Sequence, residues 1–254
     1  MERFEVVAIR QDVREKQDSW ITEEVPLTIE VNGKELVTLL ASPRDLQDLV
    51  VGFLFTSGLI NSRDMVESLV IDEERWRANV LVAQGIPEEM VFKRIYTSGC
   101  GKGIIFHNPF DLMQRAKIPP GFRIPAGRIT EIMRTFLKGS EEYRETGGVH
   151  SSALADGEKI LSFREDIGRH NALDKVIGDA LSRGMDFGDK VMFTSGRISS
   201  EIMSKILRCR VPVFVARGAP TNQAVKMARE INLTMIGFAR GIRMSVYSGA
   251  ERLE

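Results

Sequence analysis

A single thiol opens the chemical reading of this chain. Cys100 lies in Tyr96-Thr97-Ser98-Gly99-Cys100-Gly101-Lys102-Gly103, with glycine on both sides. Such neighbours leave the sulfur sterically accessible on a loop able to move, and Lys102 two residues on favours the thiolate over the thiol. The residues leave two readings open, a reactive cysteine or a turn that happens to contain one. The stretch is not a Walker A loop, which needs four residues between Gly and Gly-Lys and then Ser or Thr. A CxxC redox pair would need cysteine where Gly103 stands. The other cysteine, Cys209, sits in Arg208-Cys209-Arg210 at the end of an amphipathic helix and reads as structural.

Three polar segments accompany it. Glu165-Asp166-Ile167-Gly168-Arg169-His170-Asn171-Ala172-Leu173-Asp174-Lys175 joins a strand to a helix. Asp166 is expected to cap that helix. Cations are not what a helix N-terminus prefers, so Arg169, His170 and Asn171 there point to a bound anion or a polar network. Thr194-Ser195-Gly196-Arg197 is a strand-to-helix turn whose N–H groups, with Ser195 and Arg197, could hold phosphate. Phe238-Ala239-Arg240-Gly241-Ile242-Arg243 follows the last clear strand with two guanidiniums and a flexible glycine. No H-x-E is paired with P-C-x-x-C, so the zinc deaminase signature is absent. His107, His150 and His170 stand far apart in sequence, which gives a catalytic zinc little support, and no structural metal is expected.

The elements that must position these residues change character along the chain. Val25 to Val31 and Glu35 to Leu40 flank Asn32-Gly33, a type I′ hairpin signal. Ser42-Pro43-Arg44-Asp45 reads as a helix start with Ser42 as cap and Pro43 in the first turn, and Leu46, Leu49, Val50 and Phe53 follow at helical spacing. Ala78 to Ala83 and Met90 to Tyr96 are further strand candidates, and Asn108-Pro109 opens a short helix. Pro119-Pro120-Gly121 and Pro125 form a turn-rich connector. It divides a mainly β region, 1–118, from a second region, 119–254. The second opens with a helix carrying Ile132, Met133 and Phe136. A hairpin, His150 to Ala155 and Lys159 to Phe163, then leads into alternating helices and strands, ending with helix Asn222 to Ile231 and strand Leu233 to Phe238. That pattern predicts a three-layer α/β (α+β) domain with a partly parallel sheet, whose sites lie at the carboxyl ends of strands.

Composition bounds the function. The chain has 254 residues with 43% hydrophobic and 28% charged, ordinary for a globular protein with a sizeable core. Its 35 basic and 35 acidic residues cancel, which argues against bulk nucleic-acid binding. The cancellation hides an asymmetry. Residues 61–90 carry three basic against seven acidic groups, whereas residues 200–254 carry nine Lys or Arg against four Glu. The basic end suits an anionic small molecule such as a phosphate ester. No apolar run approaches a membrane span and no signal-peptide region opens the chain, so a cytoplasmic protein is expected.

Taken in order, these motifs resemble the FdhD family of sulfur carriers required for active formate dehydrogenase. The resemblance runs through Asn32-Gly33, Asp48 to Leu54, Thr97 to Gly101, Gly147 to His150, Glu165 to Lys175, Ser195 to Arg197, Ala219 to Thr221 and Gly237 to Gly241. It implies a cytidine-deaminase-like C-terminal domain. It also implies that Cys100 receives persulfide sulfur from a cysteine desulfurase and passes it to the molybdenum or tungsten bis(molybdopterin guanine dinucleotide) cofactor of formate dehydrogenase. Phe238 to Arg243 would bind the guanine dinucleotide, for which GDP is a mimic, and a homodimer is expected. Gly103 replaces the second cysteine of the family's C-G-x-C loop, which puts a two-thiol relay in doubt. A cofactor-binding chaperone without sulfur transfer is the alternative, and a Cys/His hydrolase using Cys100 with His150 or His170 is a third reading.

Overall fold

The computed structural model describes residues 1–83 and 117–254. The Cys100 loop with Lys102 and Gly103, the strand expected over 90–96 and the helix expected at Asn108-Pro109 lie outside the described residues.

The chain begins with a two-stranded antiparallel ribbon, β1 (Glu2–Arg10) and β2 (Val13–Ile21). A four-stranded sheet follows in the order β4-β3-β6-β5, from β3 (Val25–Val31), β4 (Lys34–Ala41), β5 (Val66–Asp72) and β6 (Arg77–Val82). The β3–β4 hairpin turns at Asn32 and Gly33, both at positive φ (50° and 77°), as a type I′ turn requires. Val25, Leu27, Ile29 and Val31 alternate inward, the period of a half-buried strand. Helix α1 (Leu46–Thr56) packs on this sheet.

Helix α1 does not start as the residues suggest. Asp45 occupies the cap position in a left-handed conformation and makes no side-chain cap bond. Ser42 is engaged elsewhere: its N–H donates to Asp166 Oδ2 at 3.0 Å and its hydroxyl accepts from Ile167 N–H at 3.1 Å. A tertiary partner 124 residues away has displaced the local cap.

The second half is a six-stranded sheet in the order β12-β11-β10-β9-β7-β8. Its members are β7 (His150–Ala155), β8 (Ile160–Asp166), β9 (Val191–Thr194), β10 (Val213–Ala216), β11 (Thr234–Arg240) and β12 (Arg243–Ser248). β9, β10 and β11 are parallel, whereas β7, β8 and β12 pair antiparallel with their neighbours. Alternate residues serve opposite faces. Leu154, Met192, Phe214 and Met235 face α4 (Arg169–Ser182), α5 (Ser200–Cys209) and α6 (Asn222–Glu230). Ala153, Phe193, Val215 and Ile236 face α2 (Ala126–Lys138) through Ile129, Ile132, Met133 and Phe136. Helices on both faces make the three layers, and the mixed α/β class is as expected. A short helix, α3 (Glu141–Thr146), follows α2.

One hydrophobic core joins the first sheet, α1 and the helical layer of the second half. At its centre α1 crosses α4 with backbones in direct contact. A Cβ on Gly52 would fall 1.9 Å from Asp174 O, and one on Gly178 would fall 1.9 Å from Asp48 O. Only glycine permits that approach. Two buried polar clusters flank the crossing. Lys175 Nζ, fully buried, pairs with Asp166 at 2.7 Å and donates to Ser42 O and Glu165 O, both at 3.2 Å. Asp174 pairs with Lys205 at 2.7 Å and accepts from Thr56 Oγ1 at 2.8 Å.

Candidate functional site at the carboxyl edge of the parallel strands

The loops after β9, β10 and β11 meet the start of α4 and of β7 at one edge of the sheet. Backbone hydrogen bonds bind these loops together. Arg217 N–H donates to Thr194 O at 3.0 Å, Phe238 N–H to Gly218 O at 3.0 Å, and Ser195 N–H to Ser151 O at 2.9 Å. The loop at Gly196 rests on Arg169, since a Cβ there would lie 3.0 Å from Arg169 Cβ.

Asp166 does not cap α4. Gly168 is the cap residue and makes no side-chain cap bond. Asp166 is instead a buried hub: Oδ1 accepts from Gly168 N–H (2.8 Å) and Asn171 Nδ2 (2.9 Å), while Oδ2 accepts from Ser42 N–H (3.0 Å) and pairs with Lys175. The polar network foreseen for this segment therefore accounts for Asn171 and Lys175. It leaves Arg169 and His170 facing the edge.

Arg169 Nε is buried without a hydrogen-bond partner among the described residues. His170 Nε2 lies 3.1 Å from Glu201 Oε2, a contact of opposite charges when the ring is protonated but not an aligned hydrogen bond. Ser195 Oγ accepts from Ser151 N–H at 3.0 Å and lies 3.2 Å from His150 Nδ1. Burial, then the nearby Arg169 and His170, hold the His150 pKa below its ordinary value. Arg197 is exposed, and its backbone abuts Gly218.

The segment Phe238 to Arg243 is not a loop beyond the last strand. Phe238, Ala239 and Arg240 end β11, Gly241 and Ile242 form the turn, and Arg243 begins β12, a strand the hydrophobic pattern did not reveal. Ala239 points into the core, Ile242 is 84% exposed, and Gly241 has φ 58°. Arg240 and Arg243 are directly opposed across the hairpin, and neither has an acidic partner among the described residues. Like charges at opposed positions destabilise a hairpin unless an anion neutralises them. Arg240 Nε donates to Arg217 O at 3.4 Å, so this hairpin adjoins the loop after β10.

A pocket of about 220 Å³ opens beside the edge, between α2–α3 and the strand ends. Phe136 and Leu137 form its apolar side, and Arg144, Ser151, Ser195 and Arg217 its polar side. Ser195 was expected at a site. Arg217, Tyr143 and Arg144 were missed, although Arg217-Gly218 follows a buried strand as Ser195-Gly196 does. Among the described residues no group of three His, Cys, Asp or Glu could hold a metal ion. No helix among them is long and apolar enough to cross a membrane.

Cys209 is buried, and its thiol donates to Lys205 O at 3.5 Å. Burial, reinforced by the Asp174 charge, pushes its pKa far above the ordinary thiol range despite Arg208 and Lys205. It stays a neutral thiol, in line with the structural reading.

Comparison with known proteins agrees with the ordering of the motifs. Sulfur carrier protein FdhD of Bacillus subtilis (strain 168) is 37% identical over 244 residues, which cover 95% of this chain and 93% of that one. The protein of the same name from Listeria innocua is 40% identical over 241 residues, covering 93% and 92%. The fold matches a crystal structure from Desulfotalea psychrophila, described as that of a formate dehydrogenase accessory protein, with a TM-score of 0.82 at 24% identity, over 100% of this chain and 99% of that one. The model of the FdhD/NarQ family matches residues 22–254, and the chain belongs to that family.

Proposed function

We propose that this protein is a cytoplasmic sulfur carrier for formate dehydrogenase, with Cys100 as the carrying residue. The observation that supports this most is the state of the other thiol. The chain has two cysteines, and Cys209 is buried with its thiol held protonated. Relatives that match nearly end to end are named sulfur carriers. A carrier built on this chain has Cys100 left to use.

The chemistry is thiol–disulfide exchange. The Cys100 thiolate attacks the outer sulfur of a cysteine desulfurase persulfide, one S–S bond forms as another breaks, and the desulfurase thiolate leaves. No net oxidation occurs in that step. Passing the outer sulfur on as sulfide takes two electrons. A thiol that ends in a disulfide with Cys100 can supply them. Gly103 stands where a neighbouring thiol would be and Cys209 is buried, so that thiol comes from outside the chain.

The substrate that receives the sulfur is the bis(molybdopterin guanine dinucleotide) molybdenum or tungsten cofactor. The carboxyl edge suits its pyrophosphates: Arg169 Nε is buried with no partner among the described residues, and Arg240 and Arg243 are opposed with no acidic partner among them. The test is mass spectrometry after incubation with a desulfurase and cysteine. Cys209→Ala should gain sulfur mass and Cys100→Ala none. Equal gain in both variants would reject Cys100 as the carrier.

A further inference from the structure

The turn between β4 and α1 belongs to the first half of the chain, yet its polar groups serve the start of α4. Ser42 N–H donates to Asp166 Oδ2 at 3.0 Å, and Ser42 Oγ accepts from Ile167 N–H at 3.1 Å. Ser42 O accepts from Lys175 Nζ at 3.2 Å, and Leu40 O accepts from Asn171 Nδ2 at 2.8 Å. Every one of these bonds crosses from the first half to the stretch 166–175.

Asp166 and Lys175 are both 0% exposed and pair at 2.7 Å. Desolvation offsets much of the attraction in such a pair, and apolar side chains would hold a core as well. What the pair adds to packing is direction. Asp166 Oδ1 accepts from Gly168 N–H at 2.8 Å and from Asn171 Nδ2 at 2.9 Å, which pins the backbone just ahead of Arg169. Space at Gly168 is tight, since an added Cβ would lie 3.1 Å from Asn171 Nδ2. From the opposite side the loop at Gly196 closes on the Arg169 stem: a Cβ there would lie 3.0 Å from Arg169 Cβ and 3.1 Å from Cδ. Arg169 is thus clamped between the Asp166 hub and the loop after β9. Its Nε is buried with no partner among the described residues, so the clamp holds a guanidinium ready for an anion.

We propose that Ser42, Asp166 and Lys175 are positioning residues for the anion that Arg169 receives. The β4–α1 turn sets the start of α4, and the start of α4 sets the direction of the Arg169 guanidinium. All three act through Arg169 and not on the ligand, as supporting residues do for a site whose geometry matters to a fraction of an ångström. This role rests on the cargo-binding part of the proposed function, and it gives the first half of the chain a share in that binding.

Calorimetry with GDP and amide hydrogen exchange, both on the full-length protein, test it. In Ser42→Ala the Ile167 N–H loses its acceptor. Amides over 167–172 should exchange roughly tenfold faster, and GDP should bind roughly fivefold more weakly or worse. Ser42→Thr keeps the hydroxyl and should restore both values. Lys175→Met should act in the same direction and more strongly. Val80→Ala opens a cavity in β6, away from the turn, and should lower the urea midpoint while leaving GDP affinity unchanged. Ser42→Ala with wild-type exchange over 167–172 would overturn the role. So would faster exchange with unchanged GDP affinity, or a Val80→Ala protein that loses GDP as Ser42→Ala does, which would reduce the effect to lost stability. A wild-type protein that binds no GDP removes the cargo reading, and exchange with its rescue by Ser42→Thr then decides alone whether these residues set the start of α4.

Discussion

His150 shows how much one residue's surroundings decide. Ser195 Oγ accepts from Ser151 N–H at 3.0 Å and shares a second hydrogen bond, of 3.2 Å, with His150 Nδ1. Burial first, then Arg169 and His170, keep the ring neutral below its ordinary pKa of 6.5. The unfolded chain therefore binds a proton at this position before the folded protein does. The linkage is such that the folded state loses stability as pH falls below about 6.5, down to the depressed folded pKa. Denaturant titrations between pH 7.5 and 5.5 should show that loss, and His150→Gln should flatten it. An equally steep loss in the variant would mean that other groups carry it. At the same scale, the opposed Arg240 and Arg243 predict that either change to alanine weakens GDP binding by roughly 1.5–3 kcal/mol, the worth of a charge-assisted hydrogen bond. Calorimetry showing no change in either variant would take the hairpin out of the site.

The crossing of α1 and α4 is the element-scale feature on which the site's position depends, because α4 carries Arg169 and His170 at its start. Gly178→Ala puts a methyl group where Asp48 O stands, and backbone cannot rotate out of the way as a side chain can. The expected loss is about 3 kcal/mol or more, at or above the upper end for overpacked cores, read from urea unfolding. A loss below about 1 kcal/mol would show that the helices can separate. These glycines carried no signal in the chain itself, where Gly52 and Gly178 sit inside otherwise regular helical patterns. Local signals were legible: Asn32-Gly33 made its hairpin, and the inward alternation of Val25 to Val31 made its strand. Signals that depended on distant partners were not. Ser42 and Asp166 read as helix caps because caps are local, yet both serve a network that joins residues more than a hundred positions apart. Helix α3 is six residues of mainly charged sequence, too short for a helical period to register. β12 escaped because none of its residues is buried and they show no clean alternation.

For the whole molecule, the shared core bears on the expected division at 118/119. Leu27, Ile29 and Phe53 from the first part belong to the same apolar cluster as Leu173, Ile177 and Phe214 from the second. Folding should therefore be cooperative across both parts. A calorimetric melt should give one transition that coincides with the fluorescence of Trp20 and Trp76, and a chelator should leave it in place. Two separated transitions would mean that the parts fold independently. The candidate site was legible only in pieces. Arg169, His170, Ser195 and the 238–243 segment each stood at a strand or helix end, but only the sheet order brings β9, β10 and β11 side by side so that those ends converge. Arg217 gained meaning from that convergence and had none in sequence. Maturation of a client enzyme tests the role of Cys100 as sulfur carrier most directly. Formate dehydrogenase activity should be measured in cells lacking their own carrier and supplied with wild-type, Cys209→Ala or Cys100→Ala protein. Activity with the first two and none with Cys100→Ala is the result predicted; active enzyme matured by Cys100→Ala would contradict the account and leave a cofactor-binding chaperone in its place.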